Sequence, residues 1–199
     1  MRRSLDVIVS LAALLLLSPL LLLIALVIMV DSPGNPLYLG WRAGKGGRLF
    51  RMWKFRTMVQ GADTMGNITS RNDRRVTRLG RFLRKTKCDE LPQFVNVLLG
   101  HMTLVGPRPE SPEIAAIYTP SQRAVLAVKP GLTGRVQLDS GDESATIPEG
   151  TRADEYYVRN LLDRKLQIDL EYLRTRTPLS DARILFATAG LVARSLISR

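Results

Sequence analysis

The chain has 199 residues and carries 29 lysines and arginines against 18 aspartates and glutamates, a formal net charge of +11. This balance predicts an anionic partner, such as a phosphorylated substrate, an anionic lipid or a nucleic acid. A single cysteine, Cys88, excludes an intrachain disulfide, and a single histidine, His101, leaves no Cys/His cluster for zinc and little basis for a Ser-His-Asp hydrolase.

The first thirty residues are apolar enough to enter a membrane. From Val7 to Val30 only Ser10, Ser18 and Pro19 interrupt the apolar run. As a helix this run would be roughly 36 Å long, which exceeds the hydrocarbon core of about 30 Å. That length argues against a signal peptide and makes one transmembrane helix the default interpretation.

Two features argue against a helix that crosses the membrane. Pro19 removes a hydrogen bond in the middle of the helix, and its ring opposes the carbonyl of Leu15, at a cost of about 3 kcal/mol. Basic residues also flank the run on both sides, so a spanning helix would leave one flank against the positive-inside tendency. A re-entrant helix that is broken at Ser18-Pro19 satisfies both features. The residues alone leave the spanning and re-entrant alternatives open.

A β-hairpin is predicted after the apolar run. Leu37 to Arg42 and Leu49 to Arg56 are two short strands around a glycine-rich turn, which does not have the spacing of a Walker phosphate-binding loop. Strand alternation places Lys54 and Arg56 on one face. The polar segment from Gly61 to Asp73 is predicted to be a loop.

The segment from Arg74 to Lys87 is strongly basic and has apolar residues at helical spacing. We expect a basic amphipathic helix, which is typical of a membrane surface, a nucleic-acid contact or a cover over an anionic substrate. Asp89 and Glu90 follow, and Pro92 fits the first turn of the next helix, so Asp89 is predicted to be its N-cap. Such a carboxylate is a candidate nucleophile towards phosphorus or a Mg²⁺ ligand. The simpler alternative is a helix cap beside a solvated charge run.

Two rigid basic turns come after the acidic pair. In Val105-Gly106-Pro107-Arg108-Pro109-Glu110 the prolines fix the direction of Arg108, which suits a phosphate clamp. The second turn runs from Lys129 to Arg135. The segment Asp139–Gly150 is acidic and irregular and is a candidate substrate-facing loop. Two amphipathic helices are predicted after it, Arg152–Arg174 and Leu179–Ile197. Their apolar faces either pack on the core or lie at the membrane interface.

Four motifs occur in a characteristic order: Lys54-Phe55-Arg56-Thr57-Met58, Asp89-Glu90-Leu91-Pro92-Gln93, Val105-Gly106-Pro107-Arg108-Pro109-Glu110 and Pro130-Gly131-Leu132-Thr133-Gly134. Behind the apolar segment, they resemble the bacterial sugar transferases, which are monotopic polyprenyl-phosphate phosphoglycosyl transferases. The resemblance extends to about Leu185 and is to the minimal catalytic form of the family. It implies a predominantly α protein with a small β-hairpin (α+β), a re-entrant helix broken at Ser18-Pro19 within residues 1–31, and a catalytic domain in residues 32–199.

The resemblance also implies a reaction, the transfer of a sugar 1-phosphate from a UDP-sugar to undecaprenyl phosphate at the cytoplasmic face of the bacterial inner membrane. Asp89 would attack the phosphorus that bears the sugar and expel UMP, and the lipid phosphate would then take the phosphosugar from Asp89. The family cofactor is Mg²⁺, which Asp89 and Glu90 are expected to bind. We expect Glu90 to orient the acceptor or the metal rather than to act as a base.

Two anionic substrates must meet an anionic nucleophile in this reaction, so cations must offset the repulsion. The expected phosphate-binding residues are Arg108, Lys54 and Arg56, with Arg84, Lys85 and Lys87 in the second rank. Expected partners are the donor, the lipid acceptor and the membrane, with downstream glycosyltransferases as candidates and no nucleic acid. The alternative function is a non-catalytic, membrane-tethered basic protein that binds anionic lipid or nucleic acid. The sequence does not reveal which sugar is transferred.

Overall fold

The computed structural model of the protein describes residues 2–62, 68–70, 72–139, 146–148 and 151–197. Most of these residues are helical, and the strands are short. The helices are α1 (Arg2–Asp31), α2 (Arg78–Lys85), α3 (Gln93–Leu99), α4 (Pro112–Ala116), α5 (Arg135–Asp139), α6 (Ala153–Asn160), α7 (Leu162–Thr175) and α8 (Pro178–Ile197). The strands are β1 (Leu37–Ala43), β2 (Leu49–Phe55), β3 (Thr103–Val105) and β4 (Gly131–Thr133).

The predicted hairpin is confirmed. Strands β1 and β2 pair antiparallel, with Leu37 opposite Phe55 and Ala43 opposite Leu49. The turn between them contains Gly46 at φ 67° and Gly47 at φ 75°, a left-handed conformation that glycine adopts without the steric cost of a Cβ atom. The second strand ends at Phe55, one residue before the predicted end.

A second, parallel pair of strands was not predicted. Thr103 of β3 lies opposite Gly131 of β4, and Val105 lies opposite Thr133. The two rigid turns foreseen from the sequence therefore lie side by side. Only a residue without a side chain permits this approach, because a Cβ on Gly131 would lie 2.1 Å from the backbone nitrogen of Gly106.

The N-terminal end of α1 is bonded to the rest of the chain. Arg3 donates hydrogen bonds to two carbonyls at the end of α3, at 2.5 and 2.7 Å. The Asp6 carboxylate accepts from the Thr103 hydroxyl at 2.8 Å and from the Leu104 amide at 3.1 Å. The first two turns of the apolar helix therefore make polar contacts with α3 and β3. These contacts fix this end of α1 on the body of the protein.

The C-terminal end of α1 also packs on the body of the protein. Ile24 and Ile28 are buried in a cluster with Phe55 at the end of β2 and Leu83 of α2. None of residues 11–23 is buried, so the helix touches the body at its two ends and leaves its middle mainly exposed. This pattern makes the middle of α1 the part that is available to lipid.

Helix α1 is not interrupted at Ser18-Pro19, where the resemblance predicted a break. Helix α1 continues through Pro19, and the Ser18 hydroxyl donates to the Leu15 carbonyl at 2.8 Å. That carbonyl is the acceptor that the missing N–H of Pro19 leaves without its usual donor. The serine therefore replaces the lost bond, and the helical structure is retained.

Within the described residues α1 alone is long and apolar enough to cross a membrane. The architecture is thus mostly helical, with short two-stranded sheets and one long apolar N-terminal helix, and is compatible with a monotopic membrane protein. Whether α1 spans the bilayer or re-enters it depends on where its two ends lie relative to the membrane.

The basic helix is shorter than the predicted segment 74–87, because α2 begins only at Arg78 and ends at Lys85. Thr77 caps it, since the threonine side chain accepts a hydrogen bond from the Gly80 amide at 2.8 Å. Gly80 also allows α2 to lie against the chain that leaves β2, because a Cβ there would be 2.0 Å from the Thr57 carbonyl oxygen. The cap and the close approach together set the start of this basic helix.

The C-terminal third is helical, as predicted, but the first predicted helix is divided. Helices α6 and α7 are separated at Leu161. In α8 one side packs inward, with Ile184 buried, while Phe186 is 80% exposed. Two predicted loops fall partly outside the described residues, at 63–67 and 71 in the first and at 140–145 and 149–150 in the second.

Candidate active site

The acidic pair lies in a short 3₁₀ turn, Cys88–Glu90, rather than at a helix cap. Lys87 precedes the turn with a positive φ of 59°, which is uncommon for a residue with a side chain. Pro92 occupies the position before α3 and makes no side-chain cap. The prediction that Asp89 is the N-cap is therefore wrong, because Asp89 lies inside the 3₁₀ turn and Leu91 and Pro92 stand between that turn and the start of α3.

Asp89 is a buried carboxylate with an unused oxygen. Its residue is 5% exposed, and no hydrogen bond from a described residue reaches Oδ1. Burial raises the pKa of Asp89 above its ordinary value, the charge of Lys54 opposes that rise, and the charge of Glu90 adds to it. The side-chain nitrogen of Gln93, one helical turn further on, is likewise buried and unbonded within the described chain. Unsatisfied buried groups of this kind are rare and require an explanation.

Glu90 holds two of the predicted phosphate-binding cations. Lys54 Nζ lies 3.0 Å from Glu90 Oε1, and the Arg108 guanidinium contacts Oε1 at 2.5 Å and Oε2 at 3.2 Å. Burial by itself would raise the pKa of Glu90, but Arg108 and Lys54 hold it well below its ordinary value. Glu90 is thus an ionised group that fixes two positive side chains beside Asp89.

Asn96 of α3 sets the position of Lys54. The asparagine is fully buried, accepts from the Trp53 amide at 2.9 Å and donates to the Arg51 carbonyl at 2.7 Å. These two bonds fix β2 to α3 next to Lys54. Sequence reasoning did not assign Asn96 to the site, although a lone amide within the apolar run 94–99 was the available signal.

Backbone hydrogen bonds fix the turn that carries Arg108. The Gly106 amide donates to the Thr133 carbonyl at 2.9 Å, and the Gly131 amide donates to the Pro107 carbonyl at 2.8 Å. On the far side of Arg108, the Glu110 carbonyl accepts from the amide of residue 43 at 2.9 Å. Arg108 therefore projects from a turn that is bonded to strands on both sides.

The remaining cations divide into two groups. The charges of Lys87 and Arg84 both act on Asp89 and lower its pKa, while the Arg84 Nε atom donates to Thr57 Oγ1 at 2.9 Å. Arg56 instead donates to the backbone carbonyls of Ser32 and Pro33, just after α1. The structure therefore brings Lys54, Lys87 and Arg108 to the acidic pair and places Arg56 at the connection to the membrane helix.

Arg42, at the end of β1, is a further cation that sequence reasoning missed. Burial lowers its pKa, and the neighbouring charge of Arg108 acts in the same direction, while Glu110 opposes them. Arg42 therefore lies within electrostatic reach of the Arg108 turn. No motif or spacing singled it out, because its proximity depends on how the hairpin packs on this turn.

The arrangement combines a buried carboxylate that has an unused oxygen with cations fixed within reach of a phosphate group. Such groups are suited to nucleophilic attack on phosphorus, or to binding a metal together with a phosphorylated ligand. A family model described as bacterial sugar transferase matches residues 1–195. The chain belongs to the bacterial sugar transferase family.

Curated members of the bacterial sugar transferase family match most of this chain. The UDP-glucose:undecaprenyl-phosphate glucose-1-phosphate transferase of Escherichia coli K12 is 36% identical over 197 residues, which are 94% of this chain and 39% of that protein. The undecaprenyl-phosphate galactose phosphotransferase of Salmonella typhimurium is 33% identical over 210 residues, covering 98% of this chain and 40% of that protein. The chain thus spans about two fifths of the length of these two relatives.

A shorter relative has nearly the same extent as this chain. The exopolysaccharide production protein PSS of Rhizobium leguminosarum is 37% identical over 196 residues, which are 94% of this chain and 92% of that protein. The names of the two longer relatives specify different sugars. Similarity in the matched region therefore does not identify the sugar.

Proposed function

We propose that this bacterial sugar transferase moves a sugar 1-phosphate from a UDP-sugar to undecaprenyl phosphate, with release of UMP. The observation that carries the proposal is the Asp89 side chain, which is buried, has an oxygen without a hydrogen-bond partner among the described residues, and adjoins the Lys54–Glu90–Arg108 cluster. The names of the family relatives agree with this donor and acceptor.

In the proposed first step an Asp89 carboxylate oxygen attacks the phosphorus atom that bears the sugar. A bond forms between that oxygen and phosphorus, the bond between phosphorus and the bridging oxygen breaks, and UMP leaves with the electron pair. The product is an acyl phosphate ester between Asp89 and the sugar phosphate. Attack requires the ionised carboxylate, and the nearby charges of Lys54, Arg84 and Lys87 favour that form.

In the proposed second step a phosphate oxygen of undecaprenyl phosphate attacks the same phosphorus. The bond to Asp89 breaks, the carboxylate is regenerated, and undecaprenyl diphosphate sugar is the product. A phosphate monoester has a second pKa near 6, so the acceptor is already mostly ionised at neutral pH. This step therefore needs no strong general base, and Glu90 is free to serve another purpose.

We assign to Glu90 the task of orienting Lys54 and Arg108. A carboxylate that accepts from two cations fixes both in direction at little cost in side-chain entropy once the site is formed. Fixed cations stabilise charge that develops on the phosphate oxygens without reorganising during the reaction. The ion pairs at 3.0 and 2.5 Å are the contacts that support this role.

Mg²⁺ is proposed as the cofactor, and the residues present fit it in part. Both Glu90 oxygens already accept from cations, whereas Asp89 Oδ1 has no partner among the described residues. The described chain contains no cluster of three or more metal-binding side chains, but Mg²⁺ commonly uses only one or two protein carboxylates together with substrate phosphates. Asp89 would hold the ion, which when bound offsets the negative charge of the diphosphate.

We further propose that α1 enters and leaves the membrane by one face, with the catalytic residues on the cytoplasmic side of the inner membrane. The support is that Arg3 and Asp6 at one end, and Ile24 and Ile28 at the other, contact the same body of the protein. A helix that spanned the bilayer would place its ends in different aqueous compartments.

The topology can be tested with cysteines at Ser4 and Lys45, each introduced into a Cys88→Ala background. Both positions are exposed. A membrane-impermeant maleimide should label both cysteines from the same side of oriented inner-membrane vesicles. Labelling from opposite sides would establish a spanning helix and contradict re-entry.

The function is tested by measuring UMP release from a panel of UDP-sugars with undecaprenyl phosphate and Mg²⁺. We expect at least one donor to be turned over by the wild-type protein, and Asp89→Asn to reduce the rate by about 1,000-fold or more, the scale of losing a nucleophile. Asp163→Asn, the same exchange at an exposed position, serves as the matched control and should retain activity. Inactivity of the wild-type protein across the panel would favour a non-catalytic lipid-binding role.

A further inference from the structure

The turn that carries Arg108 ends in a second, largely buried carboxylate, Glu110, whose side chain is 12% exposed. Lys165 of α7 contacts Glu110 Oε1 at 3.0 Å, and the hydroxyl of Tyr157 on α6 donates a hydrogen bond to the same oxygen. Lys165 also donates to the Tyr157 hydroxyl. Tyr157 is 1% exposed and Lys165 is 7% exposed, so both side chains are buried at Glu110.

The three groups form a connected cluster of one ion pair and one hydroxyl. Burial by itself would raise the pKa of Glu110, but the charge of Lys165 and the hydrogen bonds from Tyr157 and Lys165 hold the pKa below its ordinary value. A buried ion pair of this kind contributes little net stability compared with apolar residues, yet removing one partner leaves a charge uncompensated. The main effect of such an ion pair is to fix the relative positions of the groups that it joins.

The geometry that this cluster fixes is that of Arg108. Only Pro109 separates Arg108 from Glu110, and prolines on both sides of Arg108 restrict φ. The Glu110 carbonyl is also bonded to the hairpin through the amide of residue 43 at 2.9 Å. The backbone between Glu110 and Arg108 is therefore restricted, so the position of Glu110 bears on the direction in which Arg108 leaves the turn.

We propose that Tyr157 and Lys165 are positioning residues that act through Glu110 to set the direction of the Arg108 guanidinium. This inference rests on the proposed function, in which Arg108 binds the donor diphosphate. The inference gives Tyr157 of α6 and Lys165 of α7 a role in the active site, although both are far from Asp89 in the sequence. Loss of the cluster leaves Arg108 present but misdirected, and its contacts with Glu90 and the diphosphate weaken.

Tyr157→Phe is the sharpest probe, because it removes one oxygen atom and leaves the ring packed in the core. Tyr156→Phe is the matched control, since Tyr156 is the neighbouring, partly buried tyrosine of the same helix. We expect Tyr157→Phe to lower kcat/KM for the UDP-sugar about tenfold, with Tyr156→Phe within twofold of wild type. Thermal unfolding of both variants monitors the fold.

A double-mutant cycle with Arg108→Ala separates positioning from a general structural effect. If Tyr157 acts through Arg108, adding Tyr157→Phe to Arg108→Ala should reduce kcat/KM by less than about twofold. Lys165→Met should behave in the same way, and Lys165→Arg should restore most of the activity. A tenfold loss from Tyr157→Phe in both backgrounds, or no loss in the wild-type background, would overturn the proposal.

Binding of UDP, measured by calorimetry without turnover, distinguishes failure of this inference from failure of the proposed function. We expect Tyr157→Phe to weaken UDP binding about fivefold in the wild-type background and not in Arg108→Ala. If UDP binds in this way but no donor is turned over, the function fails and the positioning role stands. If UDP binding does not depend on Arg108, or the wild-type protein binds no UDP, the positioning role is overturned.

Discussion

The Arg108 guanidinium meets the Glu90 carboxylate through two nitrogen–oxygen contacts, at 2.5 Å and 3.2 Å. Lys54 reaches the same carboxylate at 3.0 Å. Glu90 thus organises both cations before any substrate is present, and Asp89, its neighbour in the chain, makes no comparable contact with a described residue. The pKa values of these two adjacent carboxylates are therefore shifted in opposite directions, upward for Asp89 by burial and downward for Glu90 by its two cations.

Glu90→Gln is expected to lower both stability and activity. The substitution leaves Lys54 and Arg108 without their shared anion, which costs about 3 kcal/mol, the lower end of the range for a buried pair, because these side chains are only partly buried. Because the folded pKa of Glu90 lies well below its ordinary value of 4.5, its contribution is present above that value and is lost as the pH falls. The stability difference between wild type and Glu90→Gln, measured by denaturant unfolding, should therefore be larger at pH 7 than at pH 4. A constant difference would contradict the assigned ion pairs.

Asp89→Asn is expected to have the opposite effect on stability while abolishing turnover. Burial raises the folded pKa of Asp89 above its ordinary value of 3.8, so ionising this group costs stability as the pH rises through that range. The neutral asparagine avoids the cost. The thermal midpoint of Asp89→Asn should therefore equal or exceed that of wild type at pH 7, and any gain should disappear near pH 3.5. Strong destabilisation at pH 7 would show that the Asp89 charge is compensated in the folded protein.

Lys54→Met should move the acid limb of the pH–rate profile to higher pH. The proposed nucleophile is the ionised Asp89, and the charge of Lys54 lowers the pKa that burial has raised. Removing that charge leaves more of Asp89 protonated at a given pH. The measurement is the rate of UMP release as a function of pH at saturating donor. Lys45→Met, at the exposed hairpin turn, is the control and should leave the limb in place.

Asp6→Ala should loosen the attachment of α1. The substitution removes the acceptor for the Leu104 amide and the Thr103 hydroxyl, and the buried amide loses its partner at a cost of about 2 kcal/mol. For a chain of this size that corresponds to a fall of roughly 5 °C in the thermal midpoint. Asp31→Ala, at the exposed end of the same helix, should change the midpoint little. Equal midpoints for the two variants would mean that the Asp6 contacts contribute no stability.

The elements that the sequence predicted best are those with local signals. The hairpin has alternating strands around a glycine turn, and the acidic pair is marked by the basic run before it and Pro92 after it. Asp89 was nevertheless misplaced as an N-cap, because nothing in the sequence reveals the left-handed conformation of Lys87. Arg56 was grouped with Lys54 by alternation, but β2 ends at Phe55 and the alternation ends with it.

What the sequence could not supply are contacts between distant segments. The β3–β4 pair joins strands of three residues each, too short for a periodic signal, and its only trace is the set of glycines that permit close approach. Glu90 meets Lys54 and Arg108 across separations of 36 and 18 residues. The roles of Asn96, Glu110 and Lys165 likewise depend on which helix packs against which turn.

Mass spectrometry of the protein incubated with a UDP-sugar and Mg²⁺, but without lipid acceptor, tests the central claim most directly. The account predicts a mass increase equal to one sugar phosphate, located on the peptide that contains Asp89, absent from Asp89→Asn and discharged when undecaprenyl phosphate is added. Turnover of donor by the wild-type protein with no such adduct at Asp89, or with an adduct at another residue, would contradict it.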